Sequence, residues 1–160
     1  MKGSDVMDVF MKNAIDEAYV GINSEDGGPF GAIIVKDGQI IATGHNVVVA
    51  NHDPTAHAEI VAIRKACQKL ERFDLSDCSL YTTCEPCPMC YGAIHWARIP
   101  IVHFGATRDD AANIGFDDNL LYDLLSGKRT DTYLELKQIN RKECLKLFDD
   151  YLKDPNKTPY

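Results

Sequence analysis

Long apolar runs are missing from this 160-residue sequence. No segment approaches the roughly 20 consecutive apolar residues that a membrane-spanning helix requires. The N-terminal segment is interrupted by Asp5, Asp8, Lys12 and Asp16, which does not fit the continuous apolar stretch of a secretory signal peptide. We therefore expect a cytoplasmic protein with no membrane partner.

An excess of positive charge is missing as well. The chain has 17 Lys and Arg against 24 Asp and Glu, which gives a net charge of −7. A protein that binds the nucleic acid backbone usually presents a basic surface, so we expect no nucleic acid partner. Internal repeats and low-complexity tracts are absent too, and the length and the 45% hydrophobic content suit a single domain over residues 1–160.

The residue patterns predict helices and strands in the order α-β-β-α-β-α-β-(α)-β-α. Apolar residues at helical spacing predict a helix over residues 5–20, and Asp37-Gly38 between two β-branched runs predicts a hairpin. The segment "TDTYLELKQI" (130–139) predicts a further strand, followed by an amphipathic C-terminal helix. Strands that alternate with helices predict an α/β fold with a partly parallel sheet covered on both faces.

Three of the six cysteines lie in the stretch "TTCEPCPMC", as Cys84, Cys87 and Cys90. In a reducing compartment, metal binding or catalysis is favoured over a disulfide framework. Cys87 and Cys90 lie one turn apart, and Pro88 favours a helix beginning beside them, where the helix dipole stabilises thiolates. Cys84 ends the preceding strand and need not point the same way. A redox pair, or a closed site of three cysteines and His57, is an alternative.

Two further candidates lie in a predicted helix whose start is marked by "DPT" at 53–55. Glu59 lies on the apolar side of this helix, and a partly buried carboxyl group has a raised pKa that suits a proton carrier. An acid near a helix start is also favourable for the helix dipole alone. His57 lies about 200° from Glu59 around an ideal helix, so the two reach one point only at a frayed first turn. A hydrogen-bonded, partly buried histidine is the alternative for His57.

Taken together, "HAE" at 57–59 and "PCPMC" at 86–90 form the pattern H-x-E…P-C-x-x-C. With these motifs the sequence resembles the cytidine deaminase superfamily of zinc nucleobase deaminases, and within it the branch of small bacterial guanine deaminases. The likeness to that branch is carried by "GGPFGAIIVKDG", "NHDPTAHAEI", "CEPCPMCYGAIHWAR", "GFDD" and the terminal tyrosine. The resemblance implies an α/β fold: a three-layer α/β/α sandwich with a central five-stranded mixed sheet.

The same resemblance implies hydrolytic deamination of guanine to xanthine and ammonia, in purine catabolism or salvage. Water activated on one zinc ion per chain would attack the base, and Glu59 would shuttle protons. The zinc ligands would be His57, Cys87 and Cys90, with Cys84 outside the site, and Asp118 would help to move a proton to the leaving group. The substrate contacts implied by the family are Phe30, Asn46, Ala58, Trp96, Asp118 and Tyr160.

Most of these contacts have a structural alternative. Asn46 lies in a turn-like stretch, Phe30 and Trp96 are large enough to serve as core residues, and either Asp117 or Asp118 suits the N-cap of a following helix. The resemblance further implies a homodimer in which residues 140–160, a C-terminal helix and tail, are exchanged between subunits.

Other members of the superfamily act on different substrates. A tRNA adenosine deaminase shares both motifs, and cytosine or triazine deamination is equally compatible with the spacing. From residue 117 onward the sequence has eight Lys and Arg against nine Asp and Glu. No basic stripe is therefore present where contacts with a tRNA backbone are expected.

Overall fold

The computed structural model of the chain describes residues 7–160. Residues 5 and 6 of the predicted first helix lie outside the described residues. In chain order the elements are α1 (Val9–Asn23), β1 (Gly31–Lys36), β2 (Gln39–His45), α2 (Val48–Asn51), α3 (Ala58–Leu70), β3 (Ser79–Cys84), α4 (Pro88–Trp96), β4 (Ile101–Ala106), α5 (Arg108–Asn113), α6 (Asn119–Leu125) and α7 (Arg141–Lys153).

The β1–β2 hairpin confirms the prediction made from Asp37-Gly38. Lys36 pairs with Gln39 in the antiparallel ladder, which leaves Asp37 and Gly38 as the turn. Both have positive φ angles, 50° at Asp37 and 71° at Gly38. Two successive positive φ angles match the right-handed twist of the strands, and the Asp-Gly pair tolerates them well.

The sheet is mixed, with the strand order β2-β1-β3-β4. β1 is antiparallel to both β2 and β3, whereas β3 and β4 are parallel. The predicted fifth strand is wrong: within residues 7–160 the sheet has four strands, and residues 130–139 are assigned to none. Tyr133 and Leu136 in this segment are 99% and 87% exposed. An apolar, β-prone segment becomes a strand only when it finds an edge to pair with.

Helices cover both faces of the sheet, because alternate side chains of β1 point in opposite directions. Ile33 and Val35 pack against Ala14 of α1, whereas Ala32 and Ile34 belong to the core that includes Ala62 of α3. The α/β class and the helix–sheet–helix layering are therefore as predicted.

Two strand glycines let the helices approach the sheet closely. A Cβ on Gly31 would lie 2.1 Å from the Ala14 carbonyl oxygen, and a Cβ on Gly44 would lie 2.6 Å from that of Ala58. Because Gly44 lets the first turn of α3 touch the end of β2, residues 57–59 and residues 45–46 come together on one side of the molecule.

Among the described residues, no helix combines the length and apolar character needed to cross a membrane.

Candidate active site

The first half of the site depends on where α3 begins. Asp53 does not start the helix; its side chain accepts hydrogen bonds from the Thr55 amide and hydroxyl at 2.8 and 2.7 Å. The helix starts at Ala58, and His57 precedes it with extended backbone angles (φ −69°, ψ 158°). His57 is therefore not part of the helix, so its ring and the Glu59 carboxyl group can face the same point.

The second half is the start of α4, as the Pro88 position predicted. Cys87 caps this helix, and its sulfur accepts a hydrogen bond from the Cys90 amide at 3.5 Å. The His57 Nδ1 atom lies 3.5 Å from the Cys87 sulfur and 3.6 Å from the Cys90 sulfur. Among residues 7–160, these three side chains form a candidate metal-binding group.

The spacing of the three donor atoms fits a zinc ion. With bond lengths of about 2.3 Å to sulfur and about 2.0–2.1 Å to nitrogen, tetrahedral geometry separates sulfur and nitrogen by roughly 3.5 Å. The two nitrogen–sulfur distances are 3.5 and 3.6 Å. Two sulfurs and one imidazole nitrogen are also donors that zinc prefers.

The protonation of the two cysteines agrees with a cation-binding role. Hydrogen bonds from the Cys90 thiol and then from the His57 ring lower the pKa of Cys87 to about 4, although burial opposes this. The pKa of Cys90 is raised, because its thiol donates to the Cys87 sulfur and is buried. These opposite shifts favour the thiolate form of Cys87 over that of Cys90. A bound zinc ion would remove the Cys90 proton, since coordination deprotonates thiols.

Cys84 is close to this group but makes a different contact. Its thiol lies 3.7 Å from the Thr107 carbonyl oxygen, within sulfur hydrogen-bonding range. Burial, together with the Glu59 and Asp118 carboxylates, raises the pKa of Cys84 to about 11, so it stays a neutral thiol. The arrangement favours an ion with three protein ligands over a closed four-ligand site.

Glu59 is buried at the bottom of the site, with 6% of its surface exposed. One carboxyl oxygen accepts a hydrogen bond from the Thr82 hydroxyl at 3.1 Å, and the other lies 3.4 Å from the Cys90 sulfur. Burial raises the pKa of Glu59, with the Cys87 thiolate adding to the shift. A buried carboxyl group with a raised pKa suits the role of a proton carrier.

A pocket of about 510 Å³ opens above these groups, which is within the range of small-molecule sites. Asn46 forms part of its wall and is 5% exposed. The rings of Phe30 and Phe116 meet edge to face, with their centroids 5.0 Å apart. The remaining lining residues are Gly27, Gly28, Pro29, Val48, Val49, Pro54, His57, Glu59, Cys84, Glu85, Cys87, Ala111 and Asp118.

Asp117 and Asp118 have different positions. The Asp117 carboxylate is exposed and accepts a hydrogen bond from the Asn119 amide at 2.9 Å, where α6 begins. Asp118 makes no capping hydrogen bond and lines the pocket. Burial raises the pKa of Asp118, the Cys87 thiolate adds to this and His57 opposes it. One aspartate thus supports the helix start, and the other faces the pocket.

The structure does not bring all the predicted contact residues to the pocket. Ala58 is fully buried beside His57 and Glu59 but is not among the lining residues. Trp96 is 69% exposed and packs against Tyr160, with ring centroids 5.9 Å apart. Both rings therefore lie outside the pocket of their own chain.

Two residues of the site were missed by the sequence reasoning. Thr82, which holds Glu59, is a polar residue in the buried register of β3, between Leu80 and Cys84. That alternation was the available signal. Phe116 lies in the "GFDD" motif, but a single aromatic residue in a loop gave no indication of which ring it would face.

Fold and site together define a zinc-binding deaminase domain. A family model described as the cytidine and deoxycytidylate deaminase zinc-binding region matches residues 5–106, and this chain belongs to that family.

Within the family, the chain is similar to a guanine deaminase from Bacillus subtilis (strain 168). The two are 48% identical over 153 residues, which cover 96% of this chain and 98% of the relative. The X-ray structure of the Bacillus subtilis guanine deaminase matches with a TM-score of 0.90 at 47% identity and covers 96% of this chain and 99% of that chain. A tRNA-specific adenosine deaminase from Buchnera aphidicola subsp. Schizaphis graminum (strain Sg) is 38% identical over 148 residues, which cover 91% of this chain and 93% of the relative.

Proposed function

We propose that this protein hydrolyses guanine to xanthine and ammonia, with one zinc ion per chain held by His57, Cys87 and Cys90. The observation that carries the substrate assignment is the match to the Bacillus subtilis guanine deaminase, which spans 96% of this chain and 99% of that structure with a TM-score of 0.90. The match therefore includes the segments beyond residue 106, where the family model ends and where Asp118 lies.

Zinc, when bound, supplies Lewis acidity that lowers the pKa of a coordinated water from 15.7 to about 7. The chain supplies the proton carrier. The Glu59 carboxylate accepts one proton from the attacking water and gives it to a ring nitrogen of the purine. It then takes the second proton of that water, from the hydroxyl group on C2, for transfer to the departing amine, and the raised pKa caused by burial suits it to both transfers. Thr82 holds one Glu59 oxygen at 3.1 Å. The other oxygen lies beside the Cys90 sulfur at 3.4 Å, and it would be the one that exchanges protons once zinc has removed the Cys90 proton.

The pocket walls are chemically suited to a flat purine. Phe30 and Phe116 supply apolar surface, while the Asn46 carboxamide supplies both a donor and an acceptor. The Asp118 carboxylate accepts hydrogen bonds from the N–H groups of guanine. Its raised pKa, caused mainly by burial, also suits it to pass a proton to the leaving amine. Binding the ring in one orientation is what brings C2 to the reacting water.

We further propose that the chain is one deaminase domain that forms a homodimer, in which residues 140–160 of each subunit pack on the other. Leu147, Phe148 and Leu152 of α7 are 67%, 64% and 66% exposed, and an apolar face of this kind is typical of an interface. In this arrangement Tyr160 closes the pocket of the partner subunit, and the segment at 130–139 gains a surface to pack on.

The state of the cysteines bears on the cellular location. All six cysteines are free thiols, which suits the reducing cytoplasm. We propose that the enzyme works there on a free purine base.

The alternative substrate is adenosine in a tRNA, which is supported by the 38% identity to the Buchnera aphidicola relative. Purified zinc-loaded protein should be incubated separately with guanine, cytosine, adenine and a tRNA anticodon hairpin, and ammonia release should be measured in each case. We expect release from guanine in equal amounts with xanthine. Release from the hairpin alone would overturn the assignment.

A further inference from the structure

One histidine outside the reaction pocket lies between two carboxyl groups. His45 is the last residue of β2; its Nδ1 lies 2.7 Å from Glu17 of α1, and its Nε2 lies 2.7 Å from Asp26 in the following loop. The three side chains are 14%, 17% and 26% exposed. The cluster is thus largely shielded from solvent, and both ring nitrogens are used.

Counting hydrogens defines the charge of this ring. An ionised carboxylate only accepts hydrogen bonds, and a neutral imidazole has one N–H donor. A neutral His45 would therefore turn a bare nitrogen lone pair toward a carboxylate 2.7 Å away. Two donors are needed for two contacts with ionised carboxylates, so the geometry favours the imidazolium form.

Asp26 connects this ring to the wall of the pocket. Its backbone amide donates to the Gly21 carbonyl at 3.0 Å, and its own carbonyl accepts from the Val49 and Ala50 amides at 3.0 Å each. Val49 lines the pocket, as does Gly27, the residue that follows Asp26. Fixing the Asp26 side chain therefore fixes a loop and the short helix α2 at once.

The ring is also next to Asn46 in the chain, and Asn46 is packed tightly against the same loop. A Cβ on Gly27 would lie 2.2 Å from the Asn46 side-chain oxygen, so the two residues are in direct contact. On the other side of the ring, Gly21 of α1 leaves room for it, since a Cβ there would lie 2.7 Å from the His45 Cδ2 atom. A shift of His45 would move Asn46 and the loop together.

We propose that His45, held as an imidazolium between Glu17 and Asp26, is the positioning residue that fixes Asn46 and the 26–28 loop for purine binding. This inference rests on the proposed function for the identity of the ligand. It assigns His45 no contact with the base. Its effect is to hold the binding wall in place, so its loss should weaken binding more than it slows the chemical step.

The clamp formed by Glu17, His45 and Asp26 should hold the loop in a pH-dependent way. Burial lowers the pKa of His45, but the hydrogen bonds with Glu17 and Asp26 outweigh it and leave the pKa raised above 6.5. Glu17 comes from α1 and Asp26 from the loop. β1 faces His45 with Gly31, and α3 approaches the neighbouring Gly44 with the backbone of Ala58. The imidazolium is present at and below the ordinary pKa and is lost as pH rises through the raised value, so the KM for guanine should increase on the alkaline side.

Two readouts on the zinc-loaded enzyme test the clamp without guanine. With ¹⁵N-labelled histidine, the resonances that disappear in His45→Gln identify the ring, and the ring should lose its proton at a pH above the ordinary histidine value of about 6.5. Hydrogen exchange at the Val49 amide should be faster in His45→Gln. A glutamine side chain is neutral, and it carries both N–H donors on a single nitrogen, so it does not reproduce the two ring nitrogens that contact Glu17 and Asp26. A ring that loses its proton at or below the ordinary histidine pKa, or unchanged Val49 exchange, would overturn the proposal.

Kinetics then separate positioning from catalysis. His45→Gln should raise the KM for guanine about tenfold, the order of one charge-assisted hydrogen bond, while kcat stays within about twofold of the wild type. In this variant the KM should not increase further at alkaline pH. Glu17→Gln keeps the ring and removes one charge, so the same KM increase should begin at a lower pH, with wild-type values at acid pH. A larger loss in kcat than in KM, or identical pH profiles for the wild type and both variants, would contradict the positioning role.

Discussion

The neighbouring acids Asp117 and Asp118 allow catalysis and helix stability to be tested separately. Asp118 faces the pocket and caps nothing, whereas Asp117 is exposed and bonds the Asn119 amide at the start of α6. We expect Asp118→Asn to lose activity and keep its stability, and Asp117→Ala to do the reverse. The two changes are one residue apart, so a general disturbance of the loop would affect both alike.

The magnitudes follow from the two contacts. A positioned acid or base contributes about 10²–10⁴ to the rate, so kcat for guanine should fall at least about hundredfold in Asp118→Asn. Loss of a helix-start hydrogen bond costs about 1 kcal/mol, which for a chain of this length lowers Tm by about 2–4 °C. That decrease should appear in Asp117→Ala, while its kcat stays within about twofold of the wild type.

The assay is xanthine formation from guanine by the zinc-loaded proteins, with Tm from differential scanning calorimetry on the same samples. Metal content should be equal in all three proteins, because neither aspartate belongs to the metal-binding group. The reasoning is refuted if Asp118→Asn turns over guanine at the wild-type rate, or if Asp117→Ala loses as much activity as Asp118→Asn.

Three further predictions concern the proton carrier and the tail. Glu59→Gln should keep the fold and the zinc, measured by elemental analysis, but lose nearly all xanthine formation; ordinary turnover would remove Glu59 from the mechanism. Thr82→Val removes the hydroxyl that holds Glu59 and should lower kcat roughly tenfold, the order expected for one hydrogen bond to a charged group, with Thr82→Ser as the rescuing control. An unimpaired Thr82→Val enzyme would show that this hydrogen bond is not needed. Deleting Tyr160 should raise the KM for guanine while the zinc content stays constant; an unchanged KM would argue against an exchanged tail that closes the pocket.

Local sequence patterns predicted those parts of the fold that short-range chemistry determines. The hairpin at Asp37-Gly38 follows from the positive φ angles that these residues tolerate. The start of α4 follows from Pro88 and the capping Cys87. In both cases the signal and its effect lie within a few residues of each other, so no knowledge of the rest of the chain was needed.

The segment at 130–139 shows where such reasoning fails. Its alternating apolar residues have strand propensity, but a strand also needs a partner edge at the right distance, and that is a property of the assembled chain. Within residues 7–160, its Tyr133 side chain is 99% exposed. The residues of this segment therefore do have strand propensity, but the segment does not form a strand.

Only part of the site was predicted, because some of its residues act through contacts that are distant in sequence. The resemblance carried by the two motifs implied a metal site of His57, Cys87 and Cys90. The start of α3, however, was predicted at the "DPT" signal, several residues before Ala58. The Asp53 side chain uses its hydrogen bonds to form a turn instead. Thr82 acts through a contact 23 residues distant in sequence, and His45 acts through contacts 28 and 19 residues away, so local patterns could not reveal the role of either.

The proposed enzyme depends on a zinc ion that is held by two cysteines and one histidine and keeps one coordination position open for water. X-ray absorption spectroscopy at the zinc edge measures the number of sulfur ligands directly, and Cys84→Ala provides the matched control. We predict two sulfurs with lighter ligands completing the shell, and no change in Cys84→Ala. Three sulfurs in the wild type, falling to two in Cys84→Ala, would show a closed structural site and contradict the proposed enzyme.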